Sequence, residues 1–200
     1  GCVSLMARIL LHTLVFAPDG VSTSQLLSEL AQDLRKAGHE IVILTTQPHY
    51  NRDVDAESKQ PLTRRAFGLY YTSTHHGLRV IHTAMPRKGE RVGSRLRDYL
   101  IFHALSLILG LFLIGRQDVV IAPSPPLTIG VIGWLLALLK GAKFIYNVRE
   151  LYPALMVQMG MLSEQAALYK LLKRMEWFVY AASWRVVTIT DMFTQHVIAQ

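Results

Sequence analysis

An arginine and a glutamate stand side by side at Arg149 and Glu150, directly after an apolar run typical of a buried strand. A cation next to a carboxylate can bind a sugar hydroxyl or a pyrophosphate, or the two can simply form a surface ion pair. Two tyrosines and a proline accompany the pair, at Tyr146, Tyr152 and Pro153. Because ligand pockets combine aromatic side chains with a few polar groups, we favour the binding role.

A second candidate lies in the segment Pro18-Asp19-Gly20-Val21-Ser22, between an apolar run and a helical pattern. A glycine followed by a helix N-terminus presents backbone N–H groups and partial positive charge to an anion. An ordinary turn with a helix cap would give the same sequence, and both interpretations stay open. The segment lacks the G-x-G-x-x-G pattern, and the next apolar run ends in threonines rather than in an acidic residue, so NAD-dependent chemistry is disfavoured.

A third candidate is the hydroxyl of Ser124, at the end of another apolar run. Pro123, Pro125 and Pro126 surround it and favour a stiff start to the following helix. The prolines by themselves indicate no more than that helix start.

These candidates need a scaffold that brings the ends of strands together. Apolar runs predict six strands, at 7–16, 40–46, 78–84, 118–122, 143–148 and 186–190. Helical patterns alternate with them, at 22–38, about 92–115, 127–139, 163–182 and from 192 onward. This alternation predicts an α/β fold with a doubly wound, mostly parallel sheet, in which ligands bind beyond the carboxyl ends of the strands.

Local signals refine two parts of this scheme. The spacing of Ser22 and Gln25 fits a capping box, and Gly38 stands where a left-handed C-terminal cap is expected. Between 47 and 77 the pattern lapses into polar and aromatic residues, which predicts a long functional or mobile loop with room for a short ribbon.

Composition limits the class of protein. The 200 residues carry a net charge of +7, only 18% of them are charged, and 51% are hydrophobic. These values exclude a disordered or collagen-like chain and leave contact with an apolar or anionic partner open. The single cysteine, Cys2, cannot form an intrachain disulfide, which favours a cytoplasmic location.

The cations cluster before the longest apolar run. Five of them precede an uncharged stretch over 99–115: Arg87, Lys88, Arg91, Arg95 and Arg97. The stretch is short for a membrane span, so we consider two alternatives, a buried helix that covers the sheet and an interfacial helix at an anionic membrane. Nucleic-acid binding is disfavoured, because no recognised module signature is present.

Taken together, the chain resembles the N-terminal half of the family-4 retaining glycosyltransferases of the GT-B fold, most closely the bacterial members that build surface polysaccharides on a lipid carrier. The matching segments are Phe16-Ala17-Pro18-Asp19-Gly20, Gly38-His39-Glu40, Pro48-His49-Tyr50, Ser124-Pro125-Pro126-Leu127, Gly141-Ala142-Lys143-Phe144 and Arg149-Glu150-Leu151-Tyr152-Pro153.

The resemblance implies transfer of a sugar from a nucleotide-sugar donor, expected to be a UDP-sugar, to a lipid-linked saccharide at the inner face of the cytoplasmic membrane. It implies no metal and no further cofactor. Glu150 and Arg149 become the catalytic candidates, and the substrate-binding candidates are Asp19, Gly20, Ser22, His49, Tyr50, Ser124, Asn147 and Tyr152. Two departures stand out: Glu150 occupies a place usually taken by aspartate, and Arg149 a place where many relatives have histidine.

The domain organisation expected from the resemblance is half of a two-domain enzyme. Residues 1–5 are interpreted as upstream sequence and 6–200 as a truncated acceptor-side domain, with a donor-binding C-terminal domain as its missing partner. Such a half is expected to be inactive alone. The alternative is a membrane-associated Rossmann-like binding or partner subunit without catalytic activity of its own.

Overall fold

A computed structural model of the chain describes residues 6–51, 54–85 and 92–200, and of 92–96 the backbone alone. The predictions for residues 1–5, for Cys2 and for the side chains of Arg87, Lys88, Arg91 and Arg95 therefore lie outside the described residues. The strands are β1 (Arg8–His12), β2 (Glu40–Thr46), β3 (Thr63–Arg65), β4 (Tyr70–His75), β5 (Leu78–Thr83), β6 (Val119–Pro123), β7 (Lys143–Val148) and β8 (Arg185–Thr188). The helices are α1 (Ser22–Lys36), α2 (Val54–Lys59), α3 (Val92–Phe112), α4 (Leu127–Lys140), α5 (Ala154–Gln158), α6 (Ala167–Ala182) and α7 (Asp191–Ile198).

All eight strands form one sheet in the order β3-β4-β5-β2-β1-β6-β7-β8. The six predicted strands form its parallel part. Numbered by their order along the chain, they lie across the sheet in the order 3-2-1-4-5-6. This order reverses between β1 and β6, and that reversal is the point at which open α/β sheets bind their ligands. The predicted α/β fold with a mostly parallel sheet is confirmed.

Apolar packing on both faces of the sheet stabilises it. On one face, Leu27 and Ala31 of α1 pack on Ile9 and Ile43. The other face carries a larger cluster, in which α3, α4 and α6 cover alternate residues of β1, β2, β6 and β7. Because both faces are covered, the parallel strands read as nearly continuous apolar runs, which is what made them predictable.

Two glycines let α4 lie close against the sheet and α6. A Cβ atom added to Gly130 would lie 2.7 Å from Val179 of α6, and one added to Gly133 would lie 2.8 Å from the Cβ of Ala122 in β6. Real side-chain carbons do not approach this closely. Larger residues at these two positions would push α4 away from β6, whose end leads into the Ser124 loop.

Helix α1 ends as predicted and begins differently. The N–H of Gly38, whose φ is +93°, donates to Arg35 O, and the N–H of His39 donates to Leu34 O, which together form a Schellman cap. The predicted capping box is wrong, because the N-cap is Val21, whose side chain has no hydrogen-bonding group, and Gln25 bonds Glu29 instead.

The remaining differences concern short elements. The first strand ends at His12 rather than at residue 16, because Leu14 and Phe16 are buried in the core without being paired as strand. The predicted long loop over 47–77 contains α2 and an antiparallel ribbon of β3 and β4 on the edge strand β5. The predicted helix over 163–182 begins at Ala167, and the five-residue helix α5 precedes it.

Helix α3 contains the uncharged run that raised the membrane question. It buries Phe102, Ser106 and Leu109, so the buried-helix interpretation holds for one of its faces. Within the described ranges, no helix is long and apolar enough to cross a membrane.

Candidate functional site

A small cavity of about 220 Å³ lies at the reversal point of the sheet. The backbone after β1 and the first turn of α1 form one wall, and the ends of β6 and β7 lead into the other. Three of the predicted site residues line this cavity: Tyr50, Ser124 and Glu150. The structure thus brings together candidates that are separated by a hundred positions in sequence.

Ser124 fixes the loop that carries the catalytic candidates. Its side chain is almost completely buried, and its Oγ accepts hydrogen bonds from the backbone N–H groups of Arg149, at 3.0 Å, and Glu150, at 3.4 Å. The N–H of Ser124 in turn donates to the carbonyl of Asn147 at 2.9 Å. Ser124 therefore positions the Arg149–Glu150 backbone, in addition to lining the cavity.

Tyrosines surround the position of Glu150. The hydroxyl of Tyr50 lies 3.3 Å from that of Tyr99, the eighth residue of α3. Burial raises the pKa of Tyr152, and the charge of Glu150 raises it further. Behind Ser124, burial also raises the pKa of Tyr146, and its hydrogen bond with Ser124 opposes that rise. Tyr146 and Tyr152 therefore stay protonated at neutral pH.

Asp19 holds a neighbouring loop rather than presenting a free carboxylate. It is 5% exposed, and its two oxygens accept from the backbone N–H groups of His49, Tyr50 and Asn51 at 2.8–3.0 Å. Through these contacts the segment after β1 and the segment after β2 are held together, and Tyr50 is kept at the cavity.

The neighbours of Asp19 are also engaged. The N–H of Gly20 donates to the carbonyl of Asn51 at 2.8 Å. The Nδ1 of His49 lies 3.0 Å from Gln47 O and 2.9 Å from Thr46 Oγ1. Because a carbonyl oxygen only accepts, Nδ1 carries the ring proton and donates it to Gln47 O. Gly20 and His49 thus contribute to the shape of the loop, and their predicted contact with substrate stays a prediction.

The other predicted residues lie at the edge of the cavity or outside it. Ser22 is exposed in the first turn of α1 and lines a separate cavity of about 840 Å³. Asn147 is the next-to-last residue of β7, and its Oδ1 is buried without a partner among the described residues. Arg149 is half-buried beside Glu150.

The residues at the site that sequence reasoning missed include Thr23 and Tyr99. Thr23 follows the predicted anion-binding segment by one residue, so the helical pattern could have included it. Tyr99 is the first residue of the uncharged run within the predicted helix over about 92–115, and only the tertiary structure brings it to Tyr50. Within the described ranges, no group of three or more His, Cys, Asp or Glu residues could hold a metal ion.

Comparisons with known proteins bear on the family and on the fold. A family model described as "Glycosyl transferase 4-like domain" matches residues 23–200. No curated protein matches the sequence significantly.

Two solved structures share the fold. The catalytic domain of starch synthase IV from Arabidopsis thaliana, bound to ADP and acarbose, superposes with a TM-score of 0.52 at 17% identity, covering 73% of this chain and 34% of that one. Ligand-free UGT2 of Phytolacca americana superposes with a TM-score of 0.50 at 14% identity, covering 92% of this chain and 46% of that one. Both are GT-B glycosyltransferases, and this chain spans less than half the length of either.

Proposed function

The chain belongs to the glycosyl transferase 4-like domain family, and on that premise we propose that it is the acceptor-side part of a bacterial, retaining glycosyltransferase. The proposed donor is a UDP-sugar, and the proposed acceptor is a saccharide linked to a polyprenyl diphosphate, used in surface-polysaccharide synthesis. The observation that carries the proposal is the cavity at the reversal of the sheet, where Ser124 fixes the backbone of Glu150 opposite Tyr50 and the first turn of α1.

Each part of the site would have a separate task in transfer. The acceptor hydroxyl forms a bond to the anomeric carbon, the bond from that carbon to the donor diphosphate breaks, and the hydroxyl proton passes to an oxygen of the departing diphosphate. Glu150 and Arg149 would orient the acceptor hydroxyl next to the anomeric carbon, since transfer depends on that alignment. The first turn of α1 would favour the negative charge that develops on the departing diphosphate.

The direct test replaces Glu150 in the full-length polypeptide. Glu150→Gln keeps the shape of the side chain and removes its charge, and we expect turnover from a labelled UDP-sugar panel to membrane-extracted acceptor to fall by roughly 10²-fold or more. The matched control is Glu164→Gln, because Glu164 is exposed and is absent from the cavity wall.

The outcomes separate the two candidate functions. Unchanged turnover in Glu150→Gln would remove Glu150 from the mechanism. A wild-type polypeptide that binds the acceptor extract but releases no nucleoside diphosphate would favour the non-catalytic binding or partner subunit.

We also propose that α3 contacts the inner face of the cytoplasmic membrane. On its outer side Leu100, Ala104, Ile108 and Phe112 follow one another at four-residue spacing, and Phe112 is 82% exposed. Arg97 lies two residues after Arg95, the last of the undescribed basic side chains, and is itself exposed, 3.6 Å from Asp98. An apolar stripe with a cationic start matches an anionic bilayer surface, and the same helix brings Tyr99 to the cavity, so a lipid-linked acceptor would arrive next to Glu150.

A further inference from the structure

A second, larger cavity lies on the flank of α1, between α1, α2 and the end of β4. Its volume is about 840 Å³, which is within the range of small-molecule sites. The first turn of α1 lies beside both cavities, but Ser28, His75 and Gln60 do not line the reversal-point cavity and have no task in the proposed glycosyl transfer. Three residues that line it form one hydrogen-bonded row: Ser28 of α1, His75 of β4 and Gln60 after α2.

The direction of these hydrogen bonds can be deduced from their outer partners. The Nε2 of Gln60 lies 2.9 Å from the carbonyl oxygen of Ala17, and a carbonyl only accepts, so this atom is the amide nitrogen and Oε1 is the acceptor. Oε1 lies 2.8 Å from His75 Nδ1, which must therefore carry the ring proton. The Nε2 of His75 is then an acceptor, and the hydroxyl of Ser28 donates to it.

The imidazole has little freedom to leave this arrangement. Phe16 contacts it edge-on at 5.6 Å, and the ring of His76 contacts it at 4.4 Å. Gln60 is 5% exposed, and its Nε2 also donates to Ser73 Oγ at 2.9 Å, so the amide is held from three sides. Burial, together with the neighbouring His76, lowers the pKa of His75 to about 4, which leaves its Nε2 lone pair unprotonated at neutral pH.

We propose that Ser28 is a nucleophile activated by His75 and oriented by Gln60, and that this cavity is a second site, which cleaves small carboxylic esters. A serine hydroxyl that donates to a histidine, with the opposite ring nitrogen donating to a fixed side chain, is the arrangement that activates serine in acyl transfer. An amide behind the histidine fixes the tautomer but does not neutralise an imidazolium, so the site favours activated esters.

The proposed reaction balances with water as its only co-reactant. Ser28 Oγ forms a bond to the ester carbonyl carbon while its proton moves to His75 Nε2, and the ester C–O bond then breaks as the alcohol takes that proton. Water adds to the acyl-serine and gives a proton to His75, which returns it to Ser28 Oγ as the carboxylic acid leaves. The first turn of α1 belongs to the same cavity and favours the negative charge on the intermediate oxygen.

Labelling with a fluorophosphonate probe tests the proposal on the full chain. Ser28 Oγ displaces fluoride from phosphorus, and we expect peptide mapping by mass spectrometry to find the adduct on Ser28. We expect p-nitrophenyl acetate hydrolysis to exceed that of the heat-unfolded chain, to disappear in Ser28→Ala and to fall by roughly 10²-fold in His75→Gln. Ser163→Ala is the matched control, because Ser163 is exposed and its hydroxyl donates to Gln165 rather than to a histidine.

Wild-type mapping decides the proposal even if a variant fails to fold. A wild-type chain without an adduct on Ser28, or one labelled on Ser163 at the same rate, would overturn it. Equal ester hydrolysis in wild type and in a folded Ser28→Ala variant would overturn it as well, since a contact that only packs α1 against β4 produces no catalysis.

Discussion

Single polar side chains set the geometry of the candidate site. Ser124 and Asp19 each accept backbone N–H groups from a distant segment, and in this way two loops that follow different strands are held at one cavity. The sequence placed both residues at strand ends, and their roles as acceptors for main-chain groups could not be predicted. The type of a side chain shows whether it can accept a hydrogen bond. Which group donates to it depends on which loop the fold brings within reach.

Removing the Ser124 hydroxyl should show how much this positioning contributes. In Ser124→Ala the N–H groups of Arg149 and Glu150 lose their buried acceptor, and we expect the free energy of unfolding to fall by about 1–3 kcal/mol. Urea denaturation measures that change. The control is Ser58→Ala, whose exposed hydroxyl donates to Asp55 O and whose loss should stay within about 0.5 kcal/mol. Equal losses in the two variants would contradict a special role for Ser124.

At the scale of elements, predictability followed the length and burial of each segment. The strands at 40–46 and 143–148 were predicted with their observed bounds, because parallel strands covered on both faces carry nearly continuous apolar runs. The elements α2, α5, β3 and β4 were missed or left as loop. They have three to six residues each, with few or no buried side chains, so no hydrophobic period marks them.

The outer stripe of α3 makes the membrane proposal testable. Replacing Leu100, Ile108 and Phe112 together by serine removes large exposed apolar side chains, and we expect partition onto phosphatidylglycerol vesicles to fall by roughly tenfold or more. A flotation assay measures the bound fraction. The control replaces Leu168 and Leu171 of α6, which are similarly exposed, by serine. An equal loss in both variants, or none in the first, would contradict membrane contact by α3.

For the whole molecule, buried histidines couple stability to pH. Burial lowers the pKa of His12 to about 3 and those of His82 and His103 to about 4. In the unfolded chain their pKa is close to 6.5, so the unfolded state takes up protons below that pH while the folded state does not. We therefore expect the free energy of unfolding to fall as pH decreases from 6.5 toward 4, by up to about 1.4 kcal/mol per pH unit for each histidine.

His12→Leu isolates one of these contributions. The His12 ring stacks on Phe102 at 5.5 Å, and neither of its nitrogens has a partner among the described residues, so leucine removes a titrating group without breaking a described hydrogen bond. We expect the free energy of unfolding, obtained from urea denaturation, to depend less steeply on pH between about 6 and 4. The decrease in slope corresponds to about one fewer proton taken up on unfolding. An unchanged slope would show that His12 is protonated in the folded state at the same pH as in the unfolded chain.

The two GT-B neighbours show that this whole architecture tolerates great divergence, at 17% and 14% identity. The loop held by Asp19 offers one physical route to it. Its three donors are main-chain N–H groups, which every amino acid except proline possesses. The side chain at position 50, which lines the cavity, can therefore be exchanged for any other except proline without removing a donor from the clamp, so this part of the cavity wall could be diversified, by natural drift or by a mutant library, while the clamp on the backbone stays intact.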